Sequence, residues 1–316
     1  MTGLRRMLSV VIPTYNEEKN VKLLYNQLKQ VLDAFKQKYE IIFVDDGSTD
    51  KTFLILKKLA KKDKKLKIIR FKRNFGQSAA LAAGFDHATG EVIVTMDADL
   101  QNYPSDIPKL LKKLNKTDIV CGWRKHRKDA FISKRLPSFI SNWLARKLTK
   151  VNIHDFGCTL RVYRREVIED LDVYGELHRY IPALAKAAGY SVVEVQVKHS
   201  ARKYGKTKYK LSRLFKGMSD LLTLTFLERF STRPAHLFNS IGLLSFGIGS
   251  LILLVLVVNT LIYWRTTIVR PALYLSIILI LGGIQFVTLG LMSEMITRLR
   301  YDMEGKKFYK IKETIN

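Results

Sequence analysis

The sequence predicts an α/β protein: a mostly parallel sheet with helices on both faces, followed by two C-terminal transmembrane helices. Three observations carry this expectation. Strand and helix patterns alternate through residues 1–125, which is the signature of repeated βα units. The strand segments are near-continuous apolar runs, as expected of strands buried on both faces. Two uncharged stretches then follow, 31 residues at 234–264 and 23 at 271–293. About 20 apolar residues suffice to span a bilayer, whereas helices of globular domains average about 11–12.

In chain order, residues 8–13 (LSVVIP) read as a buried strand and residues 17–36 as a helix. Residues 40–44 (EIIFV) form a second strand that runs into Asp45-Asp46-Gly47-Ser48. A helix is expected over 52–62, a third strand over 67–71, a helix over 77–87, a fourth strand over 91–96 and a fifth over 119–122. Downstream, 135–148 and 176–188 look helical, 153–158 is a polar loop, and 191–197 (SVVEVQV) alternates like a strand. Residues 199–210 are basic and turn-rich, and 211–230 form an apolar-rich helix with scattered charges. Such a helix suits a membrane interface, and packing on the domain is the competing reading. The organisation expected is therefore a domain over residues 1–210, a juxtamembrane region over 211–233, and spans at about 237–264 and 271–293 within 234–316.

The chain has 54 Lys and Arg against 28 Asp and Glu, a formal net charge of +26. Such an excess suits a nucleic acid, an anionic membrane surface or phosphorylated substrates. No nucleic-acid-binding module is recognisable and two spans are expected, so a nucleic-acid partner is excluded. The apolar content excludes disorder. Cys121 and Cys158 form no CxxC pair, which argues against a disulfide framework and places the chain in a reducing compartment. The apolar run before Pro13 is too short for a signal peptide. The positive-inside rule puts the large domain and the tail with Arg298, Arg300, Lys306, Lys307, Lys310 and Lys312 in the cytoplasm.

Ligands of parallel sheets bind beyond the carboxyl ends of the strands. That rule selects residues 13–17, 45–50 and 97–101. Asp97-Ala98-Asp99 follows the strand EVIVTM, and alternate carboxylates at a strand exit can offer oxygen ligands to one hard cation such as Mg²⁺ or Mn²⁺. The bland alternative is a solvated turn. Asp45 to Asp50 reads both as a capped turn, with Gly47 at positive φ and Ser48, Thr49 or Asp50 capping, and as a pair of carboxylates facing a ligand. No GxGxxG follows the first strand and no GxxxxGK[ST] occurs, so a dehydrogenase and a P-loop enzyme are both excluded.

The stretches VVIPTYNEE, VDDGSTD, RNFGQSAALAAGFDHATGEVIVTMDADLQNYP and HRYIPALAKAAG resemble family 2 glycosyltransferases of the GT-A (Rossmann-like) fold. The nearest subgroup resembles the polyprenyl-phosphate glycosyltransferases. The resemblance implies that Pro13, Tyr15, Glu17, Asp45 and Asp46 hold a UDP- or GDP-linked nucleotide sugar. It implies that Asp97, Asp99 and Gln101 hold Mg²⁺ or Mn²⁺, and that Arg124, Arg135 and Ser138 bind the acceptor phosphate. Asp99, Arg135 and Arg202 would carry the catalysis, with Lys208 assisting Arg202. A lipid phosphate is already an anionic nucleophile, so no general base is required; Asp155, the tempting candidate, more readily orients a loop or pairs with an Arg. The QxxRW motif of processive synthases is absent, and His178-Arg179-Tyr180 stands in the comparable helix.

The reaction expected is inverting transfer of one sugar to a polyprenyl phosphate at the cytoplasmic face of the membrane. The alternatives are a different lipid acceptor and a non-catalytic membrane module that binds nucleotide sugar. Gly242, Gly247, Gly249, Gly282, Gly283 and Gly290 permit close packing of helices, which leaves a homo-oligomer open.

Overall fold

The computed structural model describes residues 7–35, 37–125, 151–171, 177–200 and 311–316, with isolated positions at 142, 146, 147, 149, 285, 288, 292, 295 and 299. The chain divides into two compact units, Met1–Leu224 with Phe308–Asn316, and Thr225–Lys307. In the second unit the described positions Gln285, Thr288, Met292, Met295 and Leu299 are helical. Apart from the first three, the expected spans lie outside the described residues, as do the helices expected at 211–230 and over most of 135–148. Among the described residues no helix is long and apolar enough to cross a membrane.

The first unit is built on β1 (Leu8–Thr14), α1 (Val21–Ala34), β2 (Tyr39–Asp45), α2 (Thr52–Ala60), β3 (Leu66–Phe71), α3 (Gln77–His87) and β4 (Val92–Thr95). It continues with α4 (Ile107–Leu114), β5 (Ile119–Trp123), β6 (Arg161–Arg164), α5 (Arg165–Glu169), a 3-10 turn at Leu177–Tyr180, α6 (Ile181–Ala187), β7 (Val192–Gln196) and β8 (Ile311–Ile315). One eight-stranded sheet results, in the order β7-β5-β6-β4-β1-β2-β3-β8. The pairs β1–β2, β1–β4, β2–β3 and β5–β7 are parallel. Strand β6 runs antiparallel between β4 and β5, and β8 runs antiparallel along β3. The sheet is thus mostly parallel, as expected, with two reversed members.

The apolar runs sort by alternation into two cores. Val10, Ile12, Ile41 and Phe43 enter one cluster with Leu24 and Leu28 of α1, Leu56 of α2 and Leu110 of α4. Val11, Ile42 and Val44 enter the other with Ala79, Ala80 and Ala83 of α3, Val167 of α5 and Ile181 of α6. A strand covered on both faces has no polar side to present, hence the absence of polar alternation. Helix α1 buries Val21, Leu24, Tyr25, Leu28 and Leu32, the three- and four-residue spacing of one helical face. It starts at Val21 rather than at Glu17, because residues 17–20 form the turn that leads in.

Four elements were not anticipated. Helix α4 follows directly on a 3-10 turn at Pro104–Asp106, and α5 is only five residues long. Strand β6 (RVYR) and strand β8 (IKETI) are rich in charge, which hides a strand in an apolarity pattern. The tail expected as a basic appendage therefore ends in a strand of the sheet. Lys57 pairs with Glu313 at 2.9 Å, and the Asn316 side-chain amide donates to the Ala60 and Leu66 carbonyls.

Helix α3 lies unusually close to β1. A Cβ at Gly84 would stand 2.2 Å from Val11 Cγ1. Gly84→Ala therefore forces Val11 to move, and overpacking of this kind costs about 1–3 kcal/mol, against about 1 kcal/mol gained in helix propensity. The expected result is a lowered thermal midpoint, partly restored when Val11→Ala is added; a Gly84→Ala midpoint above that of the wild type would refute the close approach.

Candidate functional site

Strands β2, β1 and β4 are parallel neighbours, so their carboxyl ends open on one edge of the sheet. Residues 13–17, 45–50 and 97–101 therefore converge there, as the strand-exit rule requires. The first two loops are strapped together. Ser48 Oγ accepts from the Asn16 N–H at 2.9 Å, Asn16 Oδ1 accepts from the Thr49 N–H at 2.8 Å, and Thr52 Oγ1 accepts from the Glu17 N–H at 2.8 Å. Asp50 is the residue that turns to α2, accepting the Thr52 N–H at 2.9 Å. Ser48 and Thr49 instead serve the neighbouring loop, which corrects their place in the expected cap. Asn16 adopts φ 55° and Gly47 φ 71°, and a Cβ at Gly47 would meet the Arg73 carbonyl carbon at 2.5 Å.

The two acidic residues of the second loop part company. Asp45 is fully buried; its Oδ1 accepts the Ser48 N–H at 3.1 Å and its Oδ2 lies 3.3 Å from Arg70 Nε. That approach is a charge contact without hydrogen-bond geometry. Burial pushes the Asp45 carboxyl above its ordinary range, against the pull of Ser48 and Arg70. Asp46 faces the loop before α3: Oδ1 accepts the Phe75 N–H at 2.7 Å, and Oδ2 accepts the Gly76 N–H at 3.0 Å and the Asn74 amide at 2.8 Å. Both Asp46 oxygens are therefore engaged in anchoring that loop, and a nucleotide contact would have to share them. Pro13, Tyr15 and Glu17 stand half-buried at the rim of the same edge.

At the β4 exit, Asp97 is half-buried and Asp99 is 7% exposed. Leu100 between Asp99 and Gln101 has φ 60°, a left-handed conformation that costs a branched residue free energy and marks functional turns. This bend returns the Gln101 N–H to Asp99 Oδ1 at 3.1 Å. Gln77, the first residue of α3, donates its side-chain amide to Asp97 Oδ1 at 2.7 Å. The Gln101 amide nitrogen donates to the Ser200 carbonyl at 3.4 Å, and an isolated β-bridge joins Asn102 to His199. Two carboxylates and an amide oxygen at this exit could offer a hard, all-oxygen donor set of the kind that Mg²⁺ or Mn²⁺ accepts. Among the described residues there is no group of three or more His, Cys, Asp or Glu that could hold a metal ion. Such a set leaves room for substrate oxygens.

The β5 exit carries a buried ion pair. Arg124 Nε and Nη2 reach Asp155 Oδ2 and Oδ1 at 2.7 and 2.9 Å. Burial opposes the Arg124 charge, but Asp155 outweighs it and holds the guanidinium cationic. Asp155 is thus the partner of an arginine, and Arg124 meets an acceptor phosphate only by sharing its fork. Glu194 Oε1 accepts the N–H groups of His154 and Asp155, and the His154 ring stacks on Trp123 at 4.6 Å. His178 Nδ1 lies 2.7 Å from Ser78 Oγ at the start of α3. Arg135, Ser138, Arg202 and Lys208 lie outside the described residues. Sequence reading missed Gln77 and the Asn102–His199 bridge; the available signal was the RNFGQ stretch opening a helix at the sheet edge.

A family model described as Glycosyl transferase family 2 matches residues 9–172. The dodecaprenyl-phosphate galacturonate synthase of Rhizobium johnstonii is 39% identical over 311 residues, 97% of this chain and 92% of the relative. The undecaprenyl-phosphate 4-deoxy-4-formamido-L-arabinose transferase of Shewanella sediminis is 37% identical over 315 residues, 98% of this chain and 92% of the relative. Among solved structures, glucosyl-3-phosphoglycerate synthase from Mycobacterium tuberculosis, in complex with Mn²⁺, UDP and phosphoglyceric acid, gives a TM-score of 0.56 at 19% identity. That likeness covers 71% of this chain and 78% of the other, and it shows a shared GT-A-like fold.

Two expectations follow from the buried charges. Asp155→Ala strands the Arg124 guanidinium, a change that costs about 3–5 kcal/mol when a buried pair is broken. Asp155→Asn keeps a hydrogen-bond acceptor, so it should recover part of the stability in thermal melts. An Asp155→Ala chain as stable as the wild type would sink the pairing. For Asp45, the raised carboxyl means that folding disfavours its ionised form. Asp45→Asn should then melt higher than the wild type at neutral pH, with the difference closing as pH falls through the raised folded-state range and gone once pH is below the ordinary carboxylate range. A difference that grows on acidification has the wrong sign.

Proposed function

The chain belongs to glycosyltransferase family 2, and from that premise we propose that it transfers a single sugar from a nucleotide-sugar donor to a polyprenyl phosphate. The observation that carries the acceptor is the extent of likeness. The family match ends at residue 172, yet relatives named for dodecaprenyl and undecaprenyl phosphate align over 97–98% of the chain. They therefore share its apolar C-terminal part, where a lipid would be handled.

Asp45 and the strapped loops after β1 and β2 would receive the nucleotide, with Pro13, Tyr15 and Glu17 at the rim. Asp97, Asp99 and Gln101 would hold Mg²⁺ or Mn²⁺. When bound, that ion neutralises charge on the donor diphosphate and eases its departure. An acceptor phosphate oxygen attacks the anomeric carbon from the face opposite the diphosphate, so configuration inverts. The nucleophile is already an anion, so no residue need remove a proton, consistent with Asp155 being committed to Arg124. Arg135, Ser138, Arg202 and Lys208 are the cationic and hydroxyl groups proposed to offset repulsion between the two phosphate-bearing substrates.

The two uncharged stretches support an integral membrane protein with two C-terminal spans. The pairing of β8 with β3 keeps residues 311–315 with the sheet, which supports an even number of crossings between them. The basic excess supports a cytoplasmic place for the domain and both termini.

The test is transfer of label into the organic phase by full-length protein in detergent. It would contain polyprenyl phosphate, Mg²⁺ or Mn²⁺, and a panel of donors carrying galacturonate, formamido-arabinose, glucose or mannose. One donor should give lipid-linked label, and Asp99→Ala should reduce the rate at least about a hundredfold, the scale for losing a group that stabilises transition-state charge. Nucleotide binding without transfer from any donor would overturn the reading in favour of a binding module. Transfer that does not depend on polyprenyl phosphate would point to another lipid acceptor.

A further inference from the structure

We propose that Gln77 is a positioning residue for the metal-binding carboxylate, held in place by Asp46; this rests on the reading of Asp97, Asp99 and Gln101 as the metal site. The geometry is a relay across the sheet edge. Asp46 leaves β2 buried, at 4% exposure, and its carboxylate fixes the Phe75 and Gly76 N–H groups and the Asn74 side chain. Gly76, at φ 96°, ends that loop, and α3 begins at once with Gln77. The Gln77 amide then reaches Asp97 Oδ1 at 2.7 Å. Since β2 and β4 flank β1, the relay ties the nucleotide side of the edge to the metal side.

The residue type fits the task. A carboxylate that binds a cation through one oxygen is best oriented by a donor on the other. An ammonium or guanidinium in that place would neutralise Asp97 and compete with the cation. A primary amide supplies the hydrogen bond without charge, and its attachment at the first position of a helix leaves little freedom in its backbone. Asp46 thereby acquires a role different from nucleotide binding: its engaged oxygens set the height and direction of the residue that orients Asp97.

The experiment is direct titration of full-length, detergent-purified protein with Mn²⁺ alone, following the free-ion EPR signal, with thermal melting alongside. Gln77→Met keeps the length of the side chain and removes the donor. It should weaken Mn²⁺ binding about tenfold, the lower end of the effect of losing a ligand's hydrogen-bond partner, with the melting midpoint unchanged. Asp46→Asn, which disturbs the loop without touching Asp97, should shift the affinity in the same direction. Asp99→Ala is the control and should abolish binding. Wild-type affinity in Gln77→Met, with binding lost in Asp99→Ala, overturns the positioning role alone. Wild-type affinity in Asp99→Ala as well overturns the metal site and the proposal with it. A Gln77→Met chain that melts lower yet binds Mn²⁺ normally assigns Gln77 to stability and also overturns the proposal.

Discussion

The parallel pairing of β1 with both β2 and β4 is the constraint on which the rest of the molecule depends. Parallel strands exit toward the same edge, and here β1 and β2 end together, with Thr14 level with Asp45, while β4 ends at Thr95, level with Val11. Each strand needs a crossover, so each exit becomes a loop leading toward a helix. Three such loops then meet at one edge without any residue having been selected for contact along the chain. The cost is that a fully buried sheet gives its loops no polar surface to rest on. Their backbone groups are satisfied by side chains of neighbouring loops, Ser48, Thr52 and Asn16 between the first two exits, while Asp46 satisfies the loop between β3 and α3. The same hydrogen bonds that satisfy the loops also fix the site.

This explains what was legible in the sequence. The first four strands and three helices could be read because burial on both faces writes itself as unbroken apolar runs. The candidate site could be located because the strand exits follow from those runs. The two reversed strands could not. Strand β6 opens with the buried Arg161, and β8 is an edge strand whose three central residues, Lys312, Glu313 and Thr314, are all polar. Neither pattern is distinguishable locally from a polar connection; only pairing with β4, β5 and β3 makes them strands.

Residue roles were less legible than positions. Asp45 and Asp46 are adjacent and chemically alike, yet one is buried beside Arg70 and the other is fully engaged by the Asn74–Gly76 loop. Alternation of direction along an extended chain separates them, and no property of the pair in isolation says which partner each will find. Gln77 was hidden for a related reason. A glutamine opening a helix is ordinary in sequence, and its significance lies in a contact 20 residues away that the crossover creates.

The reversed strand β6 also has a consequence for the site. Because it runs opposite to β4 and β5, its first residue, Arg161, pairs with Thr95 at the carboxyl end of β4 and with Cys121 in the middle of β5. A parallel strand would have placed its last residue there instead. The Arg161 guanidinium donates to the carbonyls of Phe156, His178 and Arg179 at 2.6, 2.9 and 3.1 Å. Three carbonyls of irregular chain are thus satisfied by one buried side chain, a task suited to the rigid, many-donor fork of an arginine. His178 in turn meets Ser78 on the residue after Gln77. The start of α3 is therefore held from two sides, by Asp46 through the preceding loop and by Arg161 through the Leu177–Tyr180 turn. A helix start fixed in this way can present Gln77 to Asp97 with little reorganisation, which is what the proposed metal site would require of a carboxylate that must be ready before its cation arrives.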